Sequence, residues 1–201
     1  PNGSGKTTTM KILLGLMKPT TGGGTIFGHD IVRESVAIRE RIGYLPQHPQ
    51  FIEYLSAKEN LLFTAKFFFT GPKKKLEDRC DEMLALVGLS EKSDRPIKGF
   101  SGGEKQRLGI ALAQINYPDL LILDEPAAGM NPQETMELDN LIKEISKDGL
   151  AILLIEHDMK LVMSLSERIF VMDYGKKIAQ GTPEEIRKDS VVIKAYLGED
   201  T

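Results

Sequence analysis

At 201 residues and 22.3 kDa the chain is long enough for one domain with a proper core and a small insert, but not for two independent domains. Its 41% hydrophobic and 27% charged residues set it apart from disordered chains, and a net charge of -3 with a pI near 5.7 provides no basic excess for holding nucleic acid. The single cysteine, Cys80, excludes an internal disulfide and suits a reducing cytosol, and no apolar run approaches the ~20 residues that span a bilayer. Pro1-Asn2-Gly3 resembles neither a signal peptide nor an initiation site, so sequence is expected upstream of it.

In chain order, the glycine-rich residues 3–7 are expected to form a loop, followed by a helix over 8–16 and a break at Lys18-Pro19. A short strand over 25–27, a short helix over 32–41 and a buried strand over 42–45 come next. From 51 to 99 the texture turns helical. Ser56 and Glu59 form a capping box that opens a helix through Phe67-Phe68-Phe69, Gly71-Pro72 breaks it, and residues 76–87 form another helix. At least two of the three phenylalanines are expected in the core of this insert, and Lys73-Lys74-Lys75 reads as a solvated loop. Cys80 is read as inert on its helix. Residues 120–123 and 151–155 are apolar runs too short for helices, as parallel strands buried on both faces would be. Asn131-Pro132 opens a helix, 168–172 and 177–179 flank Tyr174-Gly175 as a hairpin, and Thr182-Pro183-Glu184-Glu185 starts the last helices. The alternation predicts an α/β fold with a mainly parallel sheet.

Three segments carry chemistry. Asn2-Gly3-Ser4-Gly5-Lys6-Thr7-Thr8 fits the end of a phosphate-binding loop whose first glycine would fall just before Pro1. Backbone N–H groups and the following helix N-terminus would face phosphate oxygens, Lys6 would add a point charge, and the Thr7 hydroxyl could ligate Mg²⁺. Asp124 and Glu125 stand just past a buried strand, where open α/β sheets bind ligands; Asp124 would hold Mg²⁺ and Glu125 would polarise water. Ser101-Gly102-Gly103-Glu104 opens the next helix as a capping box, and its two glycines would let further N–H groups approach a phosphate.

The series of phosphate loop, Gln47, Ser101-Gly102-Gly103-Glu104, Asp124-Glu125 and His157 resembles the ABC ATPase family over essentially the whole chain. That resemblance implies a P-loop NTPase (RecA-like) fold: a single domain over 1–201, with a catalytic core of 1–50 and 100–201 and a helical subdomain at 51–99. It also implies ATP hydrolysis with Mg²⁺, with Gln47 touching the ion and the lytic water and His157 contacting the γ-phosphate. The implied partners are ATP, a second ATPase subunit in a homo- or heterodimer, and transmembrane permease subunits, with no nucleic acid. The implied location is cytoplasmic, peripheral on the inner face of the cell membrane. Asn131 stands where that family usually carries Asp. The runs 126–135, 156–163 and 195–198 look like branched-chain amino acid importer ATPases, whereas 43–47 and 98–101 look more like drug-export ATPases. Import is the leading expectation and export the alternative. A chromosome-maintenance ATPase would need a long coiled coil between Gln47 and Ser101, and a translation-type protein would need two tandem cassettes.

Overall fold

The computed structural model describes residues 5–147 and 149–197. In chain order these form α1 (Lys6–Leu13), β1 (Thr25–Ile26), β2 (His29–Asp30), α2 (Ser35–Glu40), β3 (Ile42–Leu45), α3 (Ala57–Phe68) and α4 (Lys73–Leu86). Then follow α5 (Gly102–Ala113), β4 (Leu120–Asp124), α6 (Pro132–Ser146), β5 (Ala151–Ile155) and α7 (Met159–Leu165). Last come β6 (Ile169–Asp173), β7 (Lys176–Gly181), α8 (Pro183–Lys188) and α9 (Ser190–Leu197). They fall into two compact units, one drawn from Pro1–Ile38 and Glu156–Thr201, the other Arg39–Ile155.

The second unit is built on a parallel sheet in the order β3-β4-β5. Leu121, Ile122 and Leu123 of β4 are fully buried, as the unbroken apolar run requires of a strand covered on both faces. Each such side chain contributes about 1.5–3 kcal/mol by leaving water. The pairing ends with Asp124 opposite Ile155, so the chain leaves the sheet at the carboxyl end of β4 and places its acidic pair there. Three helix starts follow from their caps: Ser56, Ser101 and Asn131 each accept a hydrogen bond from the backbone N–H three residues on, and Glu59, Glu104 and Glu134 return the bond.

Helix α4 begins at Lys73, three residues before the expected start. The three lysines are therefore an exposed first turn rather than a loop, with Lys73 pairing with Glu77 at 3.4 Å. The phenylalanine expectation is also overturned. Phe67 is 73% exposed and Phe68 44%, and only Phe69 turns inward, edge-on to Tyr117 at 6.0 Å. Consecutive helical positions point 100° apart, so three aromatics in a row cannot share one buried face. Buried Arg79 of α4 donates to the carbonyls of Gln114 (2.5 Å) and Ile115 (3.3 Å) past the end of α5 and lies over the Tyr117 ring.

In the first unit, β1 and β2 form a two-residue-turn hairpin with Phe27 (φ 55°) and Gly28 (φ 82°) at its centre. The sequence reading had β1 without its partner. Strands β6 and β7 pair antiparallel around Tyr174-Gly175, as expected, and pack Ile169 and Val171 against Ile186 of α8 and Val192 of α9. Among the described residues, no helix is long and apolar enough to cross a membrane.

Candidate nucleotide-binding and hydrolysis site

The phosphate-loop residues Asn2, Gly3 and Ser4 lie outside the described residues. Gly5 takes φ 93°, a left-handed conformation that suits glycine, and α1 begins at the next residue with no side-chain cap on its first turn. Those N–H groups are donors at the positive end of the helix dipole, with half-buried Lys6 and exposed Thr7 and Thr8 alongside. His157 lies in the same unit, its side chain 59% exposed, and its backbone N–H donates to the Glu156 carboxylate at 3.1 Å. Asp158 then caps α7, a helix the sequence reading did not anticipate, by accepting from the N–H groups of Lys160 and Leu161.

In the second unit the structure brings Gln47 to Glu125: the Gln47 amide donates to the carboxylate at 2.5 Å. Glu125 has φ 49°, a strained value for a residue with a side chain, and its N–H donates to the Ile155 carbonyl at 2.8 Å. That bond extends the β4–β5 ladder by one step and fixes where the carboxylate leaves the sheet. Asp124 is buried, and the Tyr44 hydroxyl of β3 donates to it at 3.3 Å. Burial, the Asp124 charge and this bond push the Tyr44 phenol up to about 12. Tyr44 belongs to this cluster, and the sequence reading missed it. The signal for Tyr44 was a lone phenol in an otherwise apolar strand.

The Ser101 loop stands at the N-terminus of α5, with Ser101 and Gly102 exposed and Gly103 buried. A Cβ on Gly103 would come within 2.6 Å of the Glu134 carboxylate, so the Glu134 side chain of α6 would have to move aside for any larger residue there. Glu104 accepts from the Ser101 N–H and from the Lys92 ammonium. Burial works against its charge, but these two donors outweigh it and hold the carboxyl below its ordinary range. The oxygen donors expected for Mg²⁺, from Thr7, Gln47 and Asp124, suit a hard cation in their chemistry. Thr7 belongs to the first unit, and Gln47 and Asp124 to the second.

A phosphate loop opening α1, and paired carboxylates past a buried parallel strand, define an α/β P-loop ATPase. The family model described as ABC transporter matches residues 1–128, and one described as branched-chain amino acid ATP-binding cassette transporter matches 176–201. The high-affinity branched-chain amino acid transport ATP-binding protein LivG of Escherichia coli K12 is 42% identical, over 99% of this chain and 85% of its own length. The lipopolysaccharide export system ATP-binding protein LptB of Acidithiobacillus ferridurans is 33% identical, over 99% of this chain and 83% of its own. Among solved structures, the dimeric post-hydrolysis state of the ATP-binding cassette MJ0796 bound to ADP and Pi has a TM-score of 0.81. It is 26% identical, over 91% of this chain and 82% of that one. The chain belongs to the ABC transporter family of ATPases.

Proposed function

We propose that the chain is the ATPase subunit of a branched-chain amino acid type importer, working as a dimer beneath permease subunits on the inner face of the cell membrane. The observation that carries the hydrolytic role is the Gln47–Glu125 contact at the end of β4. The resemblance puts Gln47 beside Mg²⁺ and the lytic water, and the contact brings it to the carboxylate that would polarise that water. In this reading Asn2, Gly3, Ser4, Gly5, Lys6, Thr7 and Thr8 cradle the phosphates, with Mg²⁺ held by Thr7, Gln47 and Asp124. The ion would neutralise charge on the phosphate oxygens. Glu125 accepts the proton of the attacking water, and His157 bonds the γ-phosphate. Ser101, Gly102, Gly103 and Glu104 of the second subunit close the site.

Support for import comes from the match over 176–201 and the 42% identity to LivG. Support for permease docking comes from the helical segment 51–99, where Phe63, Phe67 and Tyr54 are exposed and Phe63 and Phe67 stack edge to face at 5.3 Å. The likeness to LptB keeps export as the second reading. The test is ATPase activity of the subunit assembled with its permeases in liposomes. Stimulation by a leucine-, isoleucine- or valine-loaded binding protein is the expected result; stimulation by an apolar solute on the ATP side would replace import with export.

A further inference from the structure

Gln106 lies on α5, five residues past Ser101, and is 6% exposed. Its side-chain amide donates to the backbone carbonyl of Gln47 at 3.3 Å, while its own Oε1 is buried and finds no donor among the described residues. An unsatisfied buried carbonyl costs stability, and a leucine of similar size would avoid that cost, so burial alone does not explain a glutamine here. Three residues along the same face, Gly109 brings α5 so close to the Gln47 segment that a Cβ there would come within 2.4 Å of Leu45 and 3.5 Å of Pro49. Helix α5 thus rests on side chains on both sides of Gln47, and Gln106 is its hydrogen bond to Gln47 itself. The Gln47 side chain in turn donates to Glu125.

We propose that Gln106 is a positioning residue that couples the placement of α5 to the Gln47–Glu125 pair, resting on the reading of Glu125 given above. A shift of α5, whose N-terminus carries the Ser101-Gly102-Gly103 loop, pulls the Gln47 carbonyl with it and changes the bond that Gln47 donates to Glu125. Such a charge-assisted bond fixes the orientation of the carboxylate, so its geometry sets where Glu125 can meet the attacking water.

The test is a double-mutant cycle on steady-state ATP hydrolysis by the full chain with ATP and Mg²⁺, combining Gln106→Leu with Gln47→Ala, beside Glu125→Gln. Gln106→Leu is expected to lower kcat about tenfold with KM for ATP within about twofold, and to shift the urea midpoint only slightly, because leucine relieves the unsatisfied Oε1 while taking the donor from the Gln47 carbonyl. Added to Gln47→Ala, it should cost nothing more, because both act through one chain of bonds. Wild-type kcat in Gln106→Leu, losses that multiply independently, or a kcat loss that tracks a lost urea midpoint would overturn the proposal. If the leucine variant does not fold, Gln106→Met takes its place with the same expectations. An active Glu125→Gln would instead remove the reading of the site beneath it.

Discussion

At the scale of single residues, the two carboxylates at the end of β4 are separated by their environments. Asp124 is buried and bonded by Tyr44, while Glu125 is turned out on a strained backbone toward Gln47. Glu125→Gln keeps the size and most of the bonding of the side chain but cannot accept a proton. Turnover should fall by about a hundredfold or more, with ATP affinity retained in equilibrium titration with fluorescent ATP. Lys6→Ala removes the charge facing the phosphates and should weaken that affinity about tenfold or more. Tyr44 supplies a prediction in pH. Its folded-state value is raised from about 10 to about 12, so the neutral phenol stabilises the fold fully below pH 10 and that contribution is lost as pH rises through 12. The stability advantage of wild type over Tyr44→Phe, read from urea midpoints, should therefore be constant below pH 10 and shrink above it.

At the scale of elements, the sequence was legible wherever a local rule decides. The caps at Ser56, Ser101, Asn131 and Thr182 start helices where expected, and the apolar runs of β4 and β5 are the parallel strands. Only β4 is buried as expected, however: in β5 Ala151 is exposed, residues 152–154 are half-buried and only Ile155 is buried. What escaped depended on partners distant in the chain or on unusual backbone. The β1–β2 hairpin turns on Phe27 at φ 55°, a residue no turn rule selects, and Gln106 reaches a residue 59 positions away. Arg79 is of the same kind: from sequence it is one more charge on a polar helix. In the structure its guanidinium donates to two carbonyls past the end of α5 and is only 8% exposed. Arg79→Met should leave the Ile115 carbonyl without its donor and the Gln114 carbonyl with only the Tyr117 N–H, and lower stability by about 1–3 kcal/mol in urea unfolding. Arg79→Lys should recover little of it, because one ammonium cannot reproduce the planar fork that spans both acceptors.

At the scale of the whole molecule, the proposed dimer needs something to bring two copies together. Each chain carries a formal charge of -3, so association gains nothing from net charge and needs a component that favours contact. ATP bound on the first turn of α1 would supply it by offering its γ-phosphate to the N-terminus of α5 in the second copy, where Ser101 and Gly102 are exposed. The two glycines separate the effects that a substitution can have. A Cβ at Gly103 meets Glu134 within its own chain, so a change there displaces the Glu134 side chain first. At Gly102, which is exposed, a Cβ meets nothing within 4 Å. Gly102→Asp should therefore leave thermal stability and ATP affinity as they are while placing a negative charge where the phosphate docks. Light scattering with ATP and EDTA should show a dimer for the wild type and a monomer for Gly102→Asp, with Gly102→Ala retaining the dimer because it adds volume without charge. A Gly102→Asp chain that still dimerised under ATP would mean that the α5 N-terminus does not meet the nucleotide of the second copy.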